Sequence, residues 1–196
     1  MPIFVDSPLA IRLTVIYDKY REYFNKGARD LMKTDDDIFR FHGLKETTET
    51  DQSKAILGAP NPKIIIAGSG MSNGGRIVHH EKNYLPDAKN TLLLTGYQSM
   101  GTMGRQIEDG AKSVHIMGDE VPVRAHIEKI SGYSGHKDSD HLIEFVAGTA
   151  DRVKKVFVVM GELKSALFLV QRLRDYLGVS AVAPDEGESI VLTFEK

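Results

Sequence analysis

The sequence contains no cysteine. That absence excludes disulfides, thiolate metal sites and a cysteine nucleophile, and it accords with a reducing compartment. No apolar run approaches the ~20 residues needed to cross a bilayer. The first residues, MPIFVDSPLA, lack a basic start followed by an apolar stretch. A cytoplasmic protein without a membrane partner is the expectation. An excess of one charge is missing too: 25 Lys and Arg stand against 27 Asp and Glu, a formal net charge of -2. Affinity for nucleic acid would therefore have to come from a local patch. Internal repeats and low-complexity tracts are absent. What is present is 196 residues, 41% of them hydrophobic, enough to bury the core of one large domain or two small ones.

The most informative stretch is Lys63 to Arg76, KIIIAGSGMSNGGR. Ile64, Ile65 and Ile66 form a β-branched run that fits a short buried strand. Gly68, Gly70, Gly74 and Gly75 then punctuate a turn, with Ser69, Ser72 and Asn73 among them, and a helical segment follows from Arg76 to Leu85. Strand, glycine loop and helix together present backbone N–H groups to an anion. The Ser and Asn side chains add donors, and Arg76 adds a fixed positive charge. The spacing is not that of a dinucleotide fingerprint, because Asn73 stands where the third glycine belongs, and no Gly-Lys-Ser/Thr follows as in a Walker A loop. By itself the stretch fits a tight turn as well as a phosphate cradle.

In chain order, Pro2 to Val5 reads as a strand, and Asp6 or Ser7 caps a helix with Pro8 in its first turn. Leu9, Leu13, Ile16, Tyr17, Tyr20 and Phe24 share one face of that helix and are expected in the core. Ala28 to Asp37 reads as a short helix; its acidic end, Asp35 to Asp37, lacks a calcium-loop pattern. Ile38 to Leu44 alternates like a strand, with His42 inside it as a structural residue. Glu49 to Leu57 is helical, and a turn at Gly58 to Pro62 leads into the central strand. His79 and His80, adjacent on a helix, diverge by about 100° and do not form a metal pair by themselves. Thr91 to Thr95 is a second strand opening into another glycine-rich loop, GYQSMGTMGR, with a helix from Thr102 to Gly110 and a strand from Lys112 to Met117. This repeating order predicts a parallel, doubly wound α/β sheet with both loops at strand C-terminal ends, where such sheets bind ligands. Val121 to Ile130 reads as one extended strand, with His126 structural. Then come a loop over Gly132 to Asp138, a helix over His141 to Ala147, a strand over Lys155 to Val159, and an amphipathic helix over Ser165 to Leu177 stopped by Gly178. Val179 to Ala183 and Ile190 to Phe194 read as closing strands.

Five blocks occurring in order, VDSPLA, IIIAGSGMSNGGRIVHH, GYQSMGTMGR, VPVRAHIEKISGYSGHKD and VVMGE, resemble the C-terminal half of the β-CASP nucleases. These are metallo-β-lactamase-fold enzymes that cut RNA, such as the mRNA 3′-end processing endonucleases and bacterial ribonuclease J. The resemblance covers nearly the whole chain. It implies a β-CASP-like domain over residues 1–118, truncated at its start, and the C-terminal portion of a metallo-β-lactamase-like domain over 119–196.

The departures carry as much information. The HxHxDH motif that supplies most zinc ligands in the family is absent from this sequence. The family's histidine beside the scissile phosphate, implicated in proton donation, corresponds to His136. The last ligand, the histidine of an HGE motif, is replaced by Met160, and a thioether is a poor zinc ligand beside imidazole. The resemblance therefore implies a degenerate or truncated relative that grips RNA without self-sufficient hydrolysis. The other readings are half of a split metal-dependent ribonuclease, or a non-catalytic interaction module. Candidate contacts to phosphate and RNA are Gly68, Ser69, Gly70, Ser72, Asn73 and Arg76 in the first loop, and Tyr97, Gln98, Thr102 and Arg105 in the second, with His136 as a vestigial proton donor or phosphate contact. Tyr97 fits base stacking and loop packing equally. Asp6 and Asp138 read as capping residues. No cofactor is expected for this chain alone, and zinc only where another chain supplies ligands. The expected partners are single-stranded RNA and a second copy or a metallo-β-lactamase-like chain, since an incomplete sheet leaves apolar surface to cover.

Overall fold

The computed structural model describes residues 1–34 and 38–192. The run Asp35 to Asp37 and the last residues expected to form a closing strand lie outside the described residues. The chain divides into two compact units, Met1–Tyr133 and Ser134–Lys196.

In the first unit, β1 (Ile3–Asp6) lies between β2 (Leu44–Glu46) and β3 (Ile64–Ala67), all parallel. Ile3 stands opposite Leu44 and Ile64. α1 (Pro8–Lys19) starts on Ser7, whose Oγ accepts from the Ala10 N–H, with Pro8 in the first turn. Ser7 therefore takes the capping role, and Asp6 does something else. α2 (Lys26–Thr34) and α3 (Thr50–Ala55) complete this part, and α3 opens on a Glu49–Gln52 capping box.

Three expectations fail here. The apolar face of α1 is not core: Leu9, Leu13, Ile16, Tyr17 and Tyr20 are all exposed, and only Ile11 of the helix is buried. Ile64 and Ile66 are exposed as well. Strand alternation explains the pair, since Ile64 and Ile66 share a sheet face with Ile3 and Val5, while Phe4 and Asp6 occupy the covered face. The Ile38–Leu44 strand shrinks to Leu44–Glu46, because only those residues find a ladder beside β1.

α4 (Ile77–Tyr84) follows the first glycine loop, β4 (Thr91–Leu94) precedes the second, and α5 (Met103–Glu108) leads to β5 (Ser113–Ile116). The stretch read as one strand from Val121 to Ile130 is two. β6 (Asp119–Pro122) folds back antiparallel on β5, and β7 (His126–Lys129) runs parallel to β4. The switch is pinned where the Arg124 and Ala125 N–H groups both donate to the Leu85 carbonyl at the end of α4. His126 sits in β7 opposite Thr91 and is exposed. Leu85, Ile107, Val114, Ile116 and Val121 form the core of this region. The α/β architecture with parallel pairing is as expected. The ladders, however, are distributed over a three-stranded sheet and separate pairs.

In the second unit, α6 (Ser139–Ala147) is capped by Asp138, whose Oδ1 accepts from the Asp140 and His141 N–H groups. β8 (Val156–Phe157) pairs parallel with β9 (Ala181–Val182). α7 (Leu163–Leu177) ends on Gly178 in the left-handed conformation, at φ 63°. Val170, Leu173, Val179 and Ala181 form the core. Leu167, on the helix's expected apolar face, is exposed.

Candidate nucleic-acid interface

The two glycine loops meet. The Gly104 N–H donates to the Met71 carbonyl at 3.0 Å, the Met103 N–H to Asn73 Oδ1 at 3.2 Å, and Gln98 Nε2 to the Gly70 carbonyl at 2.7 Å. One surface thus forms beyond the C-terminal ends of β3 and β4. The close approach depends on Gly104, where an added Cβ would lie 1.9 Å from Gln98 Oε1 and 3.0 Å from the Met71 carbonyl. The first loop is tightly wound. Ser69 and Ser72 are both left-handed, at φ 73° and 58°, and the Ser72 N–H closes onto the Ser69 carbonyl. Non-glycine residues held in that region mark a backbone constrained by its surroundings.

The candidate residues separate into engaged and presented groups. Ser72 is buried and its hydroxyl donates to Glu81 Oε1 at 2.5 Å. Gln98 is fully buried and joins the loops. Thr102 caps α5, accepting from the Arg105 N–H. Arg105 chelates Asp109 and also donates to the Gln98 carbonyl. Arg76 turns inward: its guanidinium donates to Asp6 Oδ1 and to the carbonyls of Thr47 and Thr48. Ser69, Gly70 and Asn73 are exposed, Gly68 is half-buried, and Tyr97 is exposed. His136 belongs to the second unit, is exposed, and donates its backbone N–H to Ser134 Oγ.

Asp6 is the residue that sequence reading undervalued. Its side chain has no solvent exposure. Oδ1 accepts from Thr47 Oγ1 and Arg76, and Oδ2 accepts from Ser53 Oγ and meets His80 Nε2 at 2.7 Å. Burial pushes this carboxyl up, but the hydrogen bonds from Ser53, Thr47, His80 and Arg76 outweigh burial and bring it down to about 2. A signal was available, because strand alternation puts Asp6 on the same covered face as Phe4. The second missed residue is Glu81, on α4 beneath the first loop. Its Oε2 is buried without a partner among the described residues, and burial pushes the carboxyl up to about 7 despite the Ser72 bond.

These residues do not fit zinc. Among the described residues no group of three or more His, Cys, Asp or Glu side chains is arranged to hold a metal ion. The His80–Asp6 pair already carries a guanidinium on its carboxylate. Met160 is fully exposed and left-handed, at φ 65°.

Parallel ladders, glycine loops gathered at strand ends and a second small α/β unit make a mixed α/β protein, and the two family models that match it fit a metallo-β-lactamase-like fold. The Beta-Casp domain model matches residues 1–107, and the model of a Zn-dependent metallo-hydrolase RNA specificity domain matches residues 120–184. The chain belongs to the β-CASP family of RNA-processing proteins. Ribonuclease TTHA0252 of Thermus thermophilus is 38% identical over 168 residues, covering 86% of this chain and 38% of its own length. The transcription termination factor FttA of Pyrococcus horikoshii is 30% identical over 198 residues, and that of Thermococcus kodakarensis 31%; each match covers 98% of this chain and 30% of the relative. The chain therefore spans about a third of the length of the curated relatives it matches, 30–38%. No helix among the described residues is long and apolar enough to cross a membrane.

Proposed function

We propose that residues 1–196 form an RNA-holding part of a β-CASP nuclease and do not hydrolyse RNA by themselves. The observation that carries this reading is the joining of the two glycine loops into one surface at strand C-terminal ends, in a chain of an RNA-processing family. Backbone donors of Gly68 and Gly70, the Ser69 hydroxyl and the Asn73 amide grip phosphate there, with Arg105 at the rim and Tyr97 stacking on a base. His136 contacts phosphate from the second unit. Arg76, Ser72, Gln98 and Thr102 act by holding the loops in shape. The setting is cytoplasmic.

Metal-assisted cleavage needs a cluster of ligands, and none is arranged among the described residues. Anisotropy with a labelled single-stranded oligoribonucleotide tests the holding role. Binding is expected to be modest and to fall with salt along a shallow slope, as few phosphates are contacted. Arg105→Ala is expected to weaken it. Elemental analysis of the purified chain is expected to find no stoichiometric zinc, and incubation with RNA and Zn²⁺ to leave the RNA intact, for wild type and for Met160→His alike. Metal-dependent cleavage by the chain alone would overturn the reading, and salt-independent or absent binding would leave a non-catalytic interaction module.

The second reading is half of a split ribonuclease, with zinc ligands supplied by another chain. It is favoured by the 38% identity to a named ribonuclease. Cleavage appearing only on mixing with a metallo-β-lactamase-like partner chain would establish it.

A further inference from the structure

Beside the joined loops lies a cavity of about 460 Å³, within the size range of small-molecule sites. Its walls come from the first loop (Asn73, Gly74), the second loop and α5 (Met103, Gln106), and the end of β5 (His115, Met117). We propose that this cavity is a nucleobase subsite, receiving one unstacked base of the single strand whose phosphates the glycine loops grip. The proposal rests on the RNA-holding reading above.

Composition points to a base. No Asp, Glu, Lys or Arg lines the cavity, so it holds no fixed charge with which to select a phosphate or a metal cation. Three hydrogen-bonding side chains, Asn73, Gln106 and His115, converge on it instead. Asn73 spends its Oδ1 on the Met103 N–H, which leaves its amide N–H groups to act as donors only. The Gln106 amide and the His115 imidazole, both exposed, have no protein partner among the described residues. Together they present donors and acceptors to a base edge. Met103, Met117 and Val78 supply the polarisable and apolar surface on which a ring face lies. Met117 is itself left-handed, at φ 54°, and exposed, set at the turn where β5 reverses into β6. The wall shared with the phosphate-gripping loop makes the arrangement a coherent one: backbone donors on one side of Asn73, a pocket without Asp, Glu, Lys or Arg on the other.

The test compares a 5′-labelled mixed-sequence oligoribonucleotide with an abasic oligomer of the same length by anisotropy. The intact chain is used with its Gln106→Ala and His115→Ala variants, whose exposed side chains make no bond that folding depends on. Base-bearing RNA is expected to bind about 5- to 50-fold tighter than the abasic oligomer. Each variant is expected to lose about 3- to 10-fold for RNA and nothing for the abasic oligomer. In ¹³C-methyl methionine spectra, the RNA is expected to shift Met103 and Met117 and to leave Met1 unmoved. Equal affinity for the two oligomers, or variants that bind RNA as well as wild type, would overturn the base subsite while leaving the phosphate-gripping role intact. Failure to bind either oligomer would overturn both.

Discussion

Two carboxyls in the first unit titrate in opposite directions, and each makes a measurable prediction. Glu81 has an ordinary value of 4.5, and burial pushes it up to about 7. The native state thus holds its proton more tightly than the unfolded chain, so its contribution is fully present below about pH 4.5 and is lost as pH rises towards 7. The loss amounts to about 2–3 kcal/mol. Urea denaturation at pH 5 and pH 7.5 is expected to show the wild type weaker at the higher pH and Glu81→Gln nearly flat; parallel slopes would remove Glu81 as the cause. Asp6 behaves conversely. Lowered from 3.8 to about 2, it contributes stability above pH 3.8 that disappears as pH falls towards 2. Its cation matters more than its proton. Arg76→Ala removes the guanidinium from a fully buried carboxylate and two bonds to the Thr47 and Thr48 carbonyls. A loss of about 2–4 kcal/mol is expected in the same assay, and a change under 0.5 kcal/mol would show that Thr47, Ser53 and His80 suffice. Arg76 could be placed beside the glycine loop from sequence, but its inward direction could not, because Thr47 and Asp6 reach it only through the β1–β2 pairing.

Among the elements, helices were easier to locate than their partners. α4, α5 and α7 fall within a residue or two of where the helical segments after the two glycine loops and the Gly178 stop put them. Strands without such local punctuation were misjudged. Val121 to Ile130 alternates in part and reads as one strand, yet it serves two different neighbours, β5 and β4, and the break at Arg124 is made by the Leu85 carbonyl, a long-range contact. The joining of the loops also depends on tertiary contact and makes the element-scale prediction. In Gly104→Ala the new methyl collides with Gln98 Oε1 and crowds the Met71 carbonyl. Gln98 is buried and its amide holds Gly70, so relief of the clash undoes the loop junction. Thermal unfolding is expected to show about 1–3 kcal/mol of destabilisation, together with weaker RNA binding. Full stability would mean that Gln98 finds another rotamer at no cost.

On the scale of the whole molecule, the exposed α1 face (Leu13, Ile16, Tyr17, Tyr20) and the outward Ile64 and Ile66 leave apolar surface that isolated domains seldom carry. Association with a second copy at micromolar concentration is the expected outcome in sedimentation velocity. Leu13→Glu with Ile16→Glu is expected to return a monomer without loss of helicity, and a monomeric wild type would remove the motive.

The sequence by itself determined the α/β class, the family and the two glycine loops, because each is written in local order: a β-branched run before glycines, caps, stops and motifs in register. Tertiary structure alone decided that Asp6 is an inward hub rather than a cap, that the apolar stripe of α1 stays exposed, that Glu81 is buried beneath the first loop, and that an open hollow without Asp, Glu, Lys or Arg lies beside the loops. Those outcomes depend on which distant segments pack together, and burial and charge pairing are properties of that packing rather than of any residue's neighbours along the chain.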